Sequence, residues 1–201
     1  MNNSDEWNSR YSNPELIYGI EPNSFLKKEL SKLTPAKLLL PGEGEGRNAL
    51  WAAKNGWEVT AFDFSEVAVN KANKLFKKNN VNIHFFCSDI QGFNSKIKFD
   101  AIGLVYLHLP SAQRKDAHSK MVSLLKQNGT IVIECYHPDQ LGRFSGGPKN
   151  PDLFPTINEL ESSFSSLSIL SLSREEITLN EGIMHKGSAV VIRMVAKKDL
   201  T

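Results

Sequence analysis

Two cysteines in 201 residues are too few for a disulfide framework, and Cys87 and Cys135 lack the CxxC or Cys/His spacing of a zinc site, so no metal is expected. Both sit in apolar, strand-like runs and read as buried, reduced thiols, which places the chain in the cytoplasm. No run approaches the roughly 18 apolar residues of a membrane span, and the first residues hold no basic segment followed by an apolar one. A soluble chain with no membrane partner is expected. Excess charge of one sign is also missing: 24 Lys and Arg against 22 Asp and Glu leave a net charge of +2. The densest basic run, Lys71, Lys74, Lys77 and Lys78, falls at helical spacing opposite apolar positions. That pattern is a solvated helix face, and nucleic acid is not the expected partner. Internal repeats and composition breaks are absent too, leaving one domain over 1–201, long enough to bury a core unaided.

What is present alternates. After an aromatic, polar leader (Trp7, Tyr11, Tyr18) within a capping segment 1–35, a helix is expected over Pro22–Leu33, with Asn23 or Ser24 as its cap. Lys37–Leu40 is a short strand running into Pro-Gly-Glu-Gly-Glu-Gly, followed by a helix over Arg47–Asn55. A strand over Trp57–Phe62 ends at Asp63, and Ser65 caps a helix with Val67, Ala68, Ala72, Leu75 and Phe76 on one face. Asn82–Cys87 and the continuous apolar run Phe99–Val105 are the third and fourth strands. Pro110 and Ser111 open a helix bearing Ala117, Met121, Val122 and Leu125, which Gly129 is expected to close before a fifth strand over Thr130–Tyr136. Residues 137–155 show no periodicity and read as a loop on the substrate side. Thr156 and Glu159 form a capping box, Ser166–Ser173 alternates as a half-buried strand, Leu179–Gly187 reads as a long hairpin, and Ala189–Val195 as the last strand.

Strands alternating with helices imply an α/β, doubly wound, mainly parallel sheet with helices on both faces, and the terminal hairpin adds an antiparallel strand. Ligands of such sheets bind beyond the carboxyl ends of the strands, where strand order reverses. Gly42, Gly44 and Gly46 lie there, between the first strand and its helix, and leave room for a ligand beside the backbone amides. Asp63 ends the second strand about 20 residues on, where a carboxylate can accept from both hydroxyls of a ribose. Asp89 ends the third strand, where it can meet the exocyclic amine of adenine while Phe64 and Ile90 flank the ring.

A dinucleotide fingerprint, G-x-G-x-x-G, would place its third glycine at position 47, which is Arg47. Glu43 and Glu45 would also repel a pyrophosphate, while being tolerable beside a sulfonium. Spacing and charge therefore favour S-adenosylmethionine over NAD.

Leu-Leu-Leu-Pro-Gly-Glu-Gly-Glu-Gly-Arg-Asn-Ala, Trp-Glu-Val-Thr-Ala-Phe-Asp-Phe-Ser and Cys-Ser-Asp-Ile resemble the successive motifs of class I S-adenosylmethionine-dependent methyltransferases. Within that class, Gly-Glu-Gly-Arg-Asn-Ala followed by Ala-Ala-Lys-Asn-Gly-Trp-Glu-Val-Thr-Ala resembles the tellurite-resistance and thiopurine methyltransferase-like group, whose members methylate small, often soft nucleophiles. The resemblance implies a seven-stranded, Rossmann-like sheet with an antiparallel last strand, S-adenosyl-L-methionine as cofactor and S-adenosyl-L-homocysteine as product. It places cofactor-binding residues at Tyr11, Tyr18, Gly42, Glu43, Gly44, Gly46, Arg47, Asp63, Phe64, Ser65, Asp89, Ile90 and Val105. One departure stands out, since the acidic residue usual two positions before the first glycine is Leu40 here. Glu43, Glu45, Tyr11, Tyr18 or Glu21 are the candidates to replace that anchor for the methionine amino group.

Methyl transfer needs alignment and exclusion of water more than covalent help from the protein. His108 and His137 follow the fourth and fifth strands and are the candidate catalytic residues. Tyr106, Tyr136 and the loop residue Arg143 are the candidate substrate contacts. His185 and Arg193 in the terminal hairpin are as ambiguous as Arg143, and Arg193, within a strand, reads as a structural ion pair or as facing solvent. The Asp/Asn-Pro-Pro-aromatic tetrad of many nucleic-acid amine methyltransferases is lacking after the fourth strand, so a small-molecule acceptor is expected, with the chain a monomer or homodimer. Two other readings remain open: a non-catalytic domain that binds the cofactor or its product, and an NAD-dependent oxidoreductase.

Overall fold

A computed structural model describes residues 4–200. Seven strands form one sheet in the order β3-β2-β1-β4-β5-β7-β6. They are β1 (Lys37–Pro41), β2 (Glu58–Asp63), β3 (His84–Cys87), β4 (Phe99–Val105), β5 (Leu125–Tyr136), β6 (Ser168–Glu181) and β7 (His185–Lys197). β1 to β5 pair in parallel, and β7 runs antiparallel to both β5 and β6. Strand order reverses between β1 and β4, so the expected doubly wound sheet with an inverted last strand is what the chain adopts.

The period-2 geometry of β1 explains the layers. Leu38 and Leu40 turn to one face, against α2 (Ser24–Leu30), α3 (Arg47–Lys54) and α4 (Glu66–Lys78), where Leu26, Leu30, Leu50, Ala72 and Phe76 complete a buried cluster. Leu39 turns to the other face, against α5 (Ser111–Leu124) and α6 (Ile157–Ser163), where Met121, Leu160 and Phe164 are buried. Three helix starts are fixed by side-chain caps: Asn23 accepts from Leu26 N, Ser65 from Ala68 N and Thr156 from Glu159 N. The reciprocal half of the Thr156 box is not made, because the Glu159 carboxylate pairs with Arg114 instead.

Several expectations are corrected. α5 stops at Leu124 and Leu125 already pairs with Phe99, so Leu125 opens β5. Between Leu125 and Thr130 the pairing of β5 with β4 shifts register, with Asn128 in the left-handed region (φ 62°). Cys87 is exposed, since β3 is an edge strand, whereas Cys135 is buried as expected. β6 and β7 form one hairpin paired from Ser168↔Lys197 to Glu181↔His185, longer than its periodicity suggested. The leader holds a helix, α1 (Ser4–Tyr11), which packs on α4. No helix of the described residues is long and apolar enough to cross a membrane.

Candidate active site

A cavity of about 360 Å³ opens at the carboxyl ends of β1 to β4, beside the point where strand order reverses. Its size is that of a small-molecule site. The floor is the glycine turn after β1, and the leader and the tip of the β6–β7 hairpin form the roof through Trp7, Tyr11, Tyr18, Gly19 and His185.

The turn after β1 is built around two glutamates. Glu43 is buried, with Oε1 accepting from Ala49 N at 2.7 Å and Oε2 from Asn48 Nδ2 at 3.0 Å. It therefore fills the anion position at the start of α3. Burial outweighs these bonds and pushes its carboxyl up to about 7. Glu45 pairs with Lys71 at 2.6 Å and accepts from Ile17 N at 2.8 Å. Lys71 also donates to the carbonyls of Asn13 and Glu15, both at 2.6 Å. Lys71 is thus a clasp on the leader rather than part of a solvated face, and neither glutamate is an unoccupied negative charge.

Asp63 ends β2 with 3% exposure. Its Oδ2 accepts from Gly44 N at 2.8 Å and Oδ1 from Ser65 N at 2.9 Å. Each oxygen keeps a second lone pair. Burial raises its carboxyl above the ordinary value, against the pull of these backbone bonds. Asp89, exposed at the end of β3, accepts from Gly92 N and lines the cavity with Phe64 and Ile90.

On the far side Tyr106 follows β4 in the left-handed region (φ 49°), where a bulky residue is strained. Glu134 of β5 holds both its ends: Tyr106 N donates to the Glu134 carbonyl and Tyr106 Oη to Oε1, each at 2.8 Å. The turn presents Leu107, His108 and Leu109 to the cavity. Glu134 is 1% exposed and also accepts from Asn23 Nδ2 and Arg193 Nε, both at 2.6 Å, which fulfils the ion-pair reading of Arg193. Arg47, first in α3, pairs with Glu181 at 2.7 Å, and Glu181 lies 3.3 Å from His185 Nδ1. Burial lowers the His108 imidazole to about 3, and lowers His185 despite the nearby Glu181, so both are neutral at pH 7.

Of the residues singled out by sequence, Tyr11, Tyr18, Gly42, Glu43, Gly44, Arg47, Asp63, Phe64, Asp89, Ile90, Val105, Tyr106 and His108 converge on the cavity. Five do not line it. Gly46 lies against Phe76 of α4, and Ser65 is occupied as the α4 cap and by Asn8. Tyr136 sits behind Tyr106. His137 starts the short 3-10 turn Pro138–Gln140, accepting from Asp139 N, so it caps that turn. Arg143 pairs with Glu176 at 2.6 Å and donates to Ser188, out on the hairpin, because an exposed carboxylate satisfies it there. Leu40 turns into the core. Of its candidate substitutes Glu43, Glu45, Tyr11 and Tyr18 line the cavity, while Glu21 serves Arg47 through its carbonyl. Sequence reasoning missed Trp7, Leu107 and Gln113 as cavity residues and left His185 undecided. For His185 the available signal was an imidazole four residues after a glutamate across a tight hairpin.

Residues 39–129 match a methyltransferase domain family. Over 70 residues the chain is 34% identical to the "Probable S-adenosyl-L-methionine-dependent methyltransferase TehB" of Haemophilus influenzae, a match spanning 35% of this chain and 24% of TehB. It is 29% identical over 139 residues to the tRNA (uracil(54)-C(5))-methyltransferase of Pyrococcus furiosus, covering 60% of this chain and 31% of that one. The chain thus spans about a quarter to a third of these relatives. In fold, it superposes on the crystal structure of Haemophilus influenzae TehB with a TM-score of 0.74 at 20% identity, covering 98% of this chain and 67% of that one. The magnesium protoporphyrin IX methyltransferase of Synechocystis, solved with S-adenosylmethionine bound, superposes with a TM-score of 0.61 at 13% identity, covering 98% and 78%.

Proposed function

We propose that the chain is a class I S-adenosylmethionine-dependent methyltransferase resembling the TehB-like group, and that it transfers the methyl group of that cofactor to a small-molecule acceptor bearing a soft sulfur, selenium or tellurium nucleophile. The observation that carries the cofactor half is the cradle at the cavity floor. A Cβ on Gly42 would lie 2.6 Å from Leu107 Cδ1, and one on Gly44 2.7 Å from Tyr11 Oη. The turn is therefore bare backbone beside the cavity, with Asp63 and Asp89 at the next two strand ends. In this reading Asp63 takes the ribose hydroxyls, Asp89 the adenine amine with Phe64 and Ile90 on the ring faces, and the turn with Tyr11 and Tyr18 the methionyl end.

When bound, S-adenosylmethionine supplies a methyl carbon on a cationic sulfur, to which a nucleophile adds its electron pair as the carbon–sulfur bond breaks. The chain's part is alignment and dryness. The leader and hairpin cover the cavity, and neutral His108 adds no positive charge that would oppose a sulfonium there. Arg47 and Arg193 are each neutralised by a buried carboxylate. With His185 Nδ1–H donated to Glu181, its Nε2 lone pair is left to accept the proton an acceptor releases. A base of lowered pKa suits an acidic nucleophile, and thiols, with a reference pKa of about 8.5, suit it better than alcohols. A covered cavity, and Lys71 diverted to the leader, favour a small acceptor over nucleic acid, in a cytoplasmic monomer or homodimer.

Two other readings are weighed by the same geometry. A dinucleotide pyrophosphate would need the amides at the start of α3, and Ala49 N is already taken by Glu43. A binding module without turnover would have the same cradle. The deciding experiment incubates the protein with methyl-deuterated S-adenosylmethionine and a panel of thiols, selenite and tellurite, and follows S-adenosylhomocysteine and deuteriomethyl product by mass spectrometry. Product from one or more acceptors supports the proposal. Tight S-adenosylhomocysteine binding without product from any of them favours the binding module.

A further inference from the structure

Glu43 sits inside the glycine turn, between Gly42 and Gly44, and lines the cavity together with its partner Asn48. It is 8% exposed, and the bonds by which it caps α3 come from a side-chain amide and a backbone N–H, neither of them a cation. The nearby cations are already paired, Arg47 with Glu181 at 2.7 Å and Lys71 with Glu45 at 2.6 Å. A buried carboxyl without a counter-ion keeps its proton, and this one is pushed up to about 7. Near neutral pH it is therefore part acid and part carboxylate, and a charge arriving in the cavity decides between the two.

The charged and titratable groups around it come from every side of the site. On its own turn stands Glu45, held by Lys71 of α4, and on α3 stands Arg47, which draws the Glu43 carboxyl down while pairing with Glu181 of β6. Behind it, Asn48 Oδ1 accepts from Asn23 N, and Asn23 Nδ2 donates to Glu134, which is paired with Arg193. At the end of β2, Asp63 accepts from Gly44 N and Ser65 N. Across the cavity burial raises the phenols of Tyr11, Tyr18 and Tyr106 and lowers the imidazoles of His108 and His185, so all five are uncharged at pH 7. Glu43 thus borders a cavity with no unpaired cation among its described lining residues.

S-adenosylmethionine and S-adenosylhomocysteine differ by one methyl group and one positive charge, on the sulfur of the methionyl chain. A positive charge stabilises a carboxylate and leaves a carboxylic acid almost unaffected. We propose that Glu43 is the residue by which the cavity tells S-adenosylmethionine from S-adenosylhomocysteine, its carboxyl releasing a proton to solvent when the cationic cofactor enters and taking one back from solvent once methyl transfer has left the sulfur uncharged. This rests on the methyltransferase reading above and deepens it. The effect acts through the field of the charge and needs no contact. Two unit charges about 10 Å apart, at an effective dielectric constant of about 20, interact by an amount worth about tenfold in an equilibrium. The attraction that favours the methyl donor is lost in the same step that makes the product.

The test is calorimetric titration of the wild type and Glu43→Gln with S-adenosylmethionine and S-adenosylhomocysteine, in pairs of buffers of different ionisation enthalpy, which counts the protons exchanged. At about pH 6.5 the wild type should release about half a proton more on binding S-adenosylmethionine than on binding S-adenosylhomocysteine. Its affinity for the first relative to the second should rise about five- to tenfold between about pH 5.5 and about pH 8. In Glu43→Gln both differences vanish, and binding of S-adenosylhomocysteine shows that the variant's cradle still forms. Equal proton counts and a pH-independent affinity ratio in the wild type overturn the proposal. So does a Glu43→Gln protein that keeps the differences, which would assign the proton to another carboxyl such as Asp63. If Glu43→Gln binds neither ligand, infrared difference spectra of wild type labelled with carbon-13 at the glutamate carboxyls decide. Loss of a label-sensitive band of a protonated carboxyl on adding S-adenosylmethionine, and not on adding S-adenosylhomocysteine, supports the proposal, and no such band overturns it. A wild type that binds neither ligand defeats the methyltransferase reading instead.

Discussion

Removing one charge from the Arg47–Glu181 pair is expected to hurt the fold more, per residue, than removing both. The two side chains are 8% and 14% exposed and 2.7 Å apart. Arg47 otherwise donates only to the carbonyls of Tyr18 and Glu21, each at 3.3 Å, and Glu181 otherwise has His185 and, at 3.4 Å, Asn23. Arg47→Met leaves a buried carboxylate without its cation, and Glu181→Leu leaves a buried guanidinium on two long bonds. Each single change should cost about 3–5 kcal/mol. The double variant strands no charge and should cost well under the sum, giving a coupling of roughly 2–4 kcal/mol. Urea denaturation of the four proteins measures it. With a slope of about 1–3 kcal/mol per molar, each single variant should lose at least 1 M in midpoint. Costs that add to within about 0.5 kcal/mol would refute the claim that this pair, rather than independent packing, docks the hairpin tip onto α3 and the leader.

Gly46→Ala combines a left-handed φ of 85° with a Cβ placed 2.5 Å from Phe76 Cζ, whereas Gly142→Ala, at φ 84°, meets nothing within 4 Å. Gly46→Ala should cost about 1–3 kcal/mol more than Gly142→Ala, and equal denaturation midpoints would show that Phe76 simply moves aside. Burial raises Glu43 from 4.5 to about 7, so the folded protein holds that proton more tightly than the unfolded chain. Its contribution is then present below about pH 4.5 and lost as pH rises through 7. Glu43→Gln should accordingly gain on the wild type in thermal melts between pH 6 and pH 8, and a pH-independent difference would mean that the carboxyl does not titrate there. Tyr106→Phe deletes the bond to Glu134 and should cost about 1.5–3 kcal/mol, read as a lower melting temperature and a raised acceptor KM. An unchanged melt would show that the strained turn does not depend on this hydroxyl.

The sheet and the cofactor end of the site were legible because they are written locally. Alternation of Leu38, Leu39 and Leu40, caps at Asn23, Ser65 and Thr156, and a glycine turn followed by Asp63 and Asp89 each depend on a few adjacent residues. The acceptor end is made of pairings between distant segments, and these left little local trace. Arg193 in Val-Ile-Arg-Met-Val announces that a charge in an apolar strand needs a partner, yet the sequence reading does not single out Glu134, and nothing local says that it holds Arg193, Tyr106 and Asn23 together. By sequence the glutamates of the turn read as charges facing the cofactor. One instead caps α3 and the other locks the leader through Lys71. His137 and Arg143 were placed by chain position alone, and an edge turn and an exposed carboxylate took them out of the cavity.

The central claim is that S-adenosylmethionine binds in the cavity after β1 with Asp63 as its ribose anchor. Calorimetric titration with S-adenosylmethionine, S-adenosylhomocysteine and NAD, on the wild type and on a folded Asp63→Asn variant, tests it most directly. Micromolar binding of the first two ligands, no heat from NAD, and a loss of about tenfold or more in the variant are the predicted result. Binding of NAD alone, or S-adenosylhomocysteine binding that Asp63→Asn leaves untouched, would contradict the account.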